Sequence, residues 1–236
     1  MNDTNQQSDV SDVSPPLPRR LQEGLLLGVV IAVALVLSGR WLAPTVSWLS
    51  TMAALVVLAA YAAMAVFCPV RLHRRHPGIL RWSILFGLLA GTVFAAEIIL
   101  EYILLPKDNS PYGLVEFGAV FVLYLGSAFV VGFGSRSIWN GVLTSAAGAF
   151  ISSLVWAISA LAVFYAFRGS PRQALVLRAE GDYEDFARSG MSDFNAFIIE
   201  DFMGATFFHL TLGLLVAAAL GGLGGLLGKL SARLRK

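Results

Sequence analysis

Apolar residues fall in six long blocks along the chain, separated by short stretches rich in proline, glycine and charge. The blocks lie near 21–38, 46–68, 80–105, 114–133, 138–167 and 203–228. An α-helix needs about 20 residues to cross the hydrocarbon core of a bilayer, and the fifth and sixth blocks exceed that, so they tilt or protrude into the interface. A lone segment surrounded by lipid must satisfy its own N–H and C=O groups, so the blocks predict helices. The breaks have local causes. Gly39 and Pro44 separate the first pair of spans. Pro69 ends the second, and Pro77-Gly78 precedes the third. Pro106, Pro111 and Gly113 make a tight turn before the fourth, and Gly132, Gly134 and Ser135 end it. The expected fold class is all-α: a polytopic bundle of six transmembrane helices.

The segments outside the blocks differ in kind. Residues 1–20 are polar and end in Pro15-Pro16-Leu17-Pro18; with little apolar area to bury, they are expected to be a disordered tail ahead of a membrane domain over 21–236. Asp3, Asp9 and Asp12 precede the first apolar block, against the pattern of a signal peptide. The loop 168–202 is too long for a turn and should be partly helical. Ser170-Pro171-Arg172-Gln173 reads as a capping box with proline at the first helical position, opening a helix to about Arg178 that Gly181 stops. A further turn of helix is expected over 182–189, ended by Gly190, and Ser192 is the expected cap of a helix starting at Asp193-Phe194. Phe194, Phe197, Ile198 and Phe202 share one face of that helix, which either lies on the membrane surface or packs on the bundle.

Composition agrees with the blocks. The chain is 57% hydrophobic and 14% charged, with mean hydropathy +0.72, whereas soluble domains carry about 25% charge. The single cysteine, Cys68, excludes an internal disulfide. The net charge of +2 gives no case for nucleic acid; the run Arg71-Leu72-His73-Arg74-Arg75-His76 suits anionic lipid headgroups instead. The distribution of basic residues is more telling than their sum. Of 17 Lys and Arg, eleven lie on the side of the termini and six on the side of the 168–202 loop. The positive-inside rule then puts both termini in the cytoplasm and the long loop outside a cell (plasma or inner) membrane.

Close packing is also visible. Gly213, Ala217, Gly221 and Gly225 recur at spacing four in the sixth block, and Gly141, Ser145, Ala149, Ser153 and Ala157 do so in the fifth. Such small-residue ridges let helices approach closely in lipid, within one chain or between copies.

Candidate chemistry centres on the third block. Gly87, Ala90, Gly91, Phe94, Glu97 and Glu101 share one face, so the residues that invite a neighbouring helix are on the side of the two carboxylates. Carboxylates within a span mark solute pathways, ion sites or proton relays by default. Glu116, at the start of the fourth block, and His209, in the sixth, belong to the same outer half, with Arg40, Lys107 and Arg168 in nearby loops. The expected pocket for a ligand or ion is therefore Glu97, Glu101, Glu116 and His209. Enzyme chemistry is disfavoured. Only one histidine lies in a span and no His-Glu-x-x-His sequence occurs, so no metal site or cofactor is expected. Leu125-Gly126-Ser127-Ala128 lacks the Gly-x-Ser-Gly motif of rhomboid-type intramembrane proteases. The function expected is that of a transporter-type protein or transporter subunit, not an enzyme, with an outward-facing polar pocket for a small solute or cation. The alternative is a membrane scaffold or assembly partner, or a homo-oligomer, acting through the outer loop; an intramembrane enzyme stands third.

Overall fold

The computed structural model describes residues 17–104 and 110–235. Six long helices, α1 (Leu17–Leu42), α2 (Trp48–Arg75), α3 (Pro77–Leu104), α4 (Ser110–Ser135), α5 (Ile138–Ala166) and α8 (Phe194–Leu234), run up and down. Each is long and apolar enough to cross a membrane. Two short helices, α6 (Pro171–Glu180) and α7 (Asp182–Ser189), lie between α5 and α8. They define a loop-bearing end of the bundle; the described termini are at the opposite end. The protein is thus an all-α, multi-pass membrane bundle. Residues 1–16, Pro106 and Lys107 lie outside the described residues.

α5 is the central helix. It packs against α8, α3, α4 and α1, and Ser145, Ala149, Ser152, Ser153 and Ala157 are all buried along it. Small residues set the spacing. A Cβ at Gly224 would lie 2.3 Å from the Leu125 carbonyl oxygen, and one at Gly228 would lie 2.3 Å from that of Phe129. One at Gly141 would lie 2.7 Å from the Gly225 Cα, and one at Gly87 would lie 2.6 Å from the Gly148 carbonyl oxygen. The ridges of α5 and α8 therefore meet inside one chain. Ala217 is fully buried, Gly221 sits on Val142 and Ser145, and Gly213 lies over the Ser153 hydroxyl. The Ser145 hydroxyl donates to the Tyr124 carbonyl, linking α5 to α4 at 2.6 Å.

Several boundaries differ from the sequence expectations. α1 begins at Leu17, so 17–20 are helical, not part of a polar tail; Pro18 falls in the first turn, where its missing N–H costs nothing. Gly39 lies within α1, where a Cβ would meet the Tyr165 hydroxyl at 2.5 Å; it serves packing, not termination. Pro69 does not end α2, which continues to Arg75. A proline can sit inside a membrane helix when local adjustments satisfy the freed carbonyl. The stop comes at His76, with φ −150°, because the residue before Pro77 is driven out of the helical region.

The loop-bearing end also departs in detail. Ser170 caps α6 by accepting from the Gln173 N–H, but the Gln173 side chain accepts from Gly169 and not from Ser170. α6 extends to Glu180, and Gly181 and Gly190 adopt positive φ of 88° and 73° to end α6 and α7. The cap of α8 is Asp193, which accepts from Asn195 and Ala196 N–H groups, not Ser192. There is no separate surface helix: α8 runs unbroken for 41 residues. Its first turns are packed on the bundle, with Ala196, Ile198, Ile199 and Met203 buried and Phe202 stacked on Phe164 at 4.5 Å.

Candidate functional site

Toward the loop-bearing end the helices part around a cavity of about 300 Å³. Its walls come from five elements. α3 supplies Glu97, Glu101 and Tyr102, α4 supplies Glu116 and Phe117, and α5 supplies Trp156 and Ala160. α8 supplies Asp201, Phe202 and His209, and α6 reaches over with Glu180. All four expected pocket residues, Glu97, Glu101, Glu116 and His209, line this one space. Glu97 lies about 10 Å from the end of α3, at ~1.5 Å per residue. Glu116 is 7% exposed.

The short helix α6 is held in place by polar contacts to the span ends. Arg172 Nη1 donates to the carbonyls of Tyr102 at 3.0 Å and Ile103 at 2.9 Å. Those are end carbonyls of α3, which lack partners within their own helix. Gln173 Nε2 donates to the Phe164 carbonyl near the end of α5 at 3.1 Å. With α6 tied to both helices, Glu180 is presented at the cavity rim. α7 is fixed by ring contacts: Tyr183 stacks on Phe194 at 4.7 Å, and Phe186 meets Phe194 and Phe197. The rim and roof of the cavity are therefore built from the loop.

The electrostatics are one-sided. Five carboxylates line the cavity, and no Lys or Arg does so among the described residues. Crowding by protein, a hydrogen bond shared with Glu101 and the charges of Glu101, Asp182 and Glu97 raise the Glu180 pKa, although the residue keeps an exposed edge. Burial and the neighbouring Asp201, Asp185, Glu101 and Glu184 raise Asp182 to about 6. Asp193, outside the cavity, is lowered because the Thr45 hydroxyl and the Ala196 N–H donate to it.

Cations named from the sequence are used elsewhere. Arg40 donates to the Val46 carbonyl and lies 3.8 Å over the Trp48 ring. Arg168 donates to the Leu42 carbonyl. Glu200 also turns away: it accepts from Ser47 N–H at 2.6 Å and from the Ser50 hydroxyl at 3.1 Å, fastening α8 to the start of α2. Ser127 is buried between α4 and α5, donating to the Tyr124 carbonyl and 3.3 Å from the Ser145 hydroxyl.

Aromatic rings surround His209. Trp156 stacks on it with centroids 3.9 Å apart, and Phe94, Phe117 and Phe208 meet it at 5.9–6.3 Å. Above this box, the Tyr102 hydroxyl is buried beside the Gln173 side chain, which also bonds to Phe164 and Gly169. Among the described residues, no three His, Cys, Asp or Glu side chains converge tightly enough to hold a metal ion. The arrangement brings acidic side chains beside aromatic faces.

Three acidic or hydroxyl-bearing lining residues, Asp201, Tyr102 and Glu180, escaped the sequence reading as part of the pocket. Asp201 lies eight residues from His209, two helical repeats of four along one face, so the period could have found it. Tyr102, beside Glu101, sits near a span end, where an aromatic residue reads as an interfacial anchor. Glu180 carries no such signal, because its position depends on how α6 docks. Comparisons with protein-family models, with curated proteins and with solved structures find no match to this chain.

Proposed function

We propose that the protein is a transport-type membrane protein, or the membrane subunit of a transporter, that takes a cationic solute into the acidic cavity. The observation that carries this reading is the convergence of five carboxylates from α3, α4, α6 and α8 on one space with aromatic walls. Charge of one sign in a low-dielectric cleft concentrates the opposite ion and repels its own. The bias of eleven basic residues against six supports a cavity facing away from the cytoplasm. The role is binding and passage, not catalysis. The docking of α6 and α7 onto the bundle supports the loop as rim and roof of a site over the loop as a free arm for a partner.

The test is a thermal-shift titration of the purified full chain in detergent against small quaternary ammonium and primary ammonium ions. A cation that raises the wild-type melting temperature should bind at least tenfold more weakly to Glu97→Gln, equivalent to about 1.4 kcal/mol. Uptake of the same cation into proteoliposomes should fall with it. Equal titration curves for wild type and Glu97→Gln would overturn the reading.

A further inference from the structure

Beside the acidic cavity lies a second space, an apolar groove of about 200 Å³ between α4 and α8, walled by Phe121, Phe208, Leu212 and Val216. Phe117 and His209 line both spaces, so the cavity and the groove share a wall. Toward the termini α4 and α8 touch backbone to backbone, where Gly224 and Gly228 leave no room for a Cβ. The mouth of the groove is on the flank of the bundle. Phe121 and Phe208 at that mouth are 41% and 57% exposed. On a spanning helix such a flank faces lipid chains.

We propose that the occupant is a cationic amphiphile taken from the bilayer, with its ammonium head in the acidic cavity and its hydrocarbon chain in the α4–α8 groove. This rests on the reading of the cavity as a cation site and adds the substrate class and the route of access. Three independent features favour that occupant. The acidic lining, with no Lys or Arg among the described residues, favours a positive head over phosphate-bearing or other anionic ones. The groove, in contrast, is mostly apolar, and its Tyr124 hydroxyl is already paired with Ser152 at 2.6 Å. The junction is aromatic, and the faces of Phe117 and Trp156 beside His209 attract an ammonium group where it meets its own chain.

The experiment uses the full chain in nanodiscs of zwitterionic lipid. Three labelled probes are titrated: decyltrimethylammonium, tetramethylammonium and decyl sulfate. Partitioning into the disc is common to every variant, so ratios between variants isolate the site. Wild type should bind one decyltrimethylammonium saturably and decyl sulfate at least tenfold more weakly. Glu116→Gln should weaken both ammonium probes. Val216→Phe and Leu212→Trp, which narrow only the groove at lipid-facing positions, should weaken decyltrimethylammonium at least tenfold and leave tetramethylammonium within twofold. The two groove variants are separate routes to the same result, so a misfolded one leaves the other to decide. If both ammonium probes bind and neither groove variant discriminates between them, the amphiphile inference fails while the cation site stands. If neither ammonium probe binds, both fail. Decyl sulfate binding as well as decyltrimethylammonium would reduce the groove to a lipid crevice and overturn the inference.

Discussion

Glu180 and Asp182 sit where the loop meets the bundle, and both are pushed toward the protonated form. The sign of the consequence follows from linkage. An acid whose folded pKa is raised binds its proton more tightly in the folded state, so its stabilising effect is complete in acid and is lost as pH rises through the raised value. For Asp182 the loss runs from its ordinary 3.8 to about 6. For Glu180 it runs from 4.5 upward into the alkaline range, with Glu97 and Glu101 of α3, Glu116 of α4 and Asp201 of α8 sharing the cavity. Asp193 acts in the opposite sense: its lowered pKa gives stability present above 3.8 and lost as pH falls below it. Melting temperature in detergent should therefore peak near pH 4–5 and decline toward pH 9. Glu180→Gln should flatten the alkaline part of that decline while leaving the acid limb in place. A profile that rises from pH 5 to 9 in the wild type would contradict this account of the rim. At this scale the sequence was legible where period alone decides. Glu97 and Glu101 face inward with Gly87, Ala90 and Gly91 because all five occupy one stripe. Glu180 was not legible, since Arg172 and Gln173 place it through hydrogen bonds to α3 and α5 carbonyls that no local pattern announces.

Between elements, glycine has two opposite roles, and substitution should separate them. At Gly224 a methyl group would run into the Leu125 carbonyl at 2.3 Å, which is backbone and cannot rotate away. Gly224→Ala should cost about 1–3 kcal/mol, the range for overpacking a tight interface. At Gly118, also helical, a methyl meets nothing within 4 Å. Gly118→Ala should stabilise by roughly 0.5–1 kcal/mol through the higher helix propensity of alanine. Reversible unfolding in mixed micelles with increasing denaturing detergent reads both signs in one assay. Equal effects at the two positions would mean that α4 and α8 do not approach as described. The spacing-four ridges made the α5–α8 seam readable from sequence. The helix ends were less so: Pro69 looked like a terminator, but a proline within a long apolar helix is weaker punctuation than the residue before Pro77, whose backbone is sterically barred from the helix. Phe194, Phe197 and Phe202 looked equally suited to a membrane surface or a protein surface, because the two present the same apolar chemistry. Only the neighbours α5 and α7, absent from any local window, decide between them.

For the whole molecule, hydropathy made the architecture legible, since six apolar stretches in lipid have few alternatives to a helical bundle. Sidedness is a different kind of claim, resting on eleven basic residues against six, and it determines whether the acidic cavity meets the outside or the cytoplasm. The chain offers a direct way to measure it, because its one cysteine can be removed without disturbing a bridge. In a Cys68→Ala background, Ser189→Cys places a thiol at the end of α7, and Ser231→Cys places one near the end of α8 at the opposite side of the bundle. Both are soft changes, as Ser189 is exposed and Ser231 is half-exposed. In intact cells a membrane-impermeant maleimide should label the Ser189→Cys protein and spare Ser231→Cys until the membrane is opened. The reverse pattern would turn the cavity toward the cytoplasm. A cation drawn into it would then be a cytoplasmic one, and the positive-inside bias would have been outweighed by the acidic residues of the loop, which ordinarily contribute little to topology. Either pattern leaves the geometry of the cavity unchanged, so the experiment isolates the direction of access from the existence of the site.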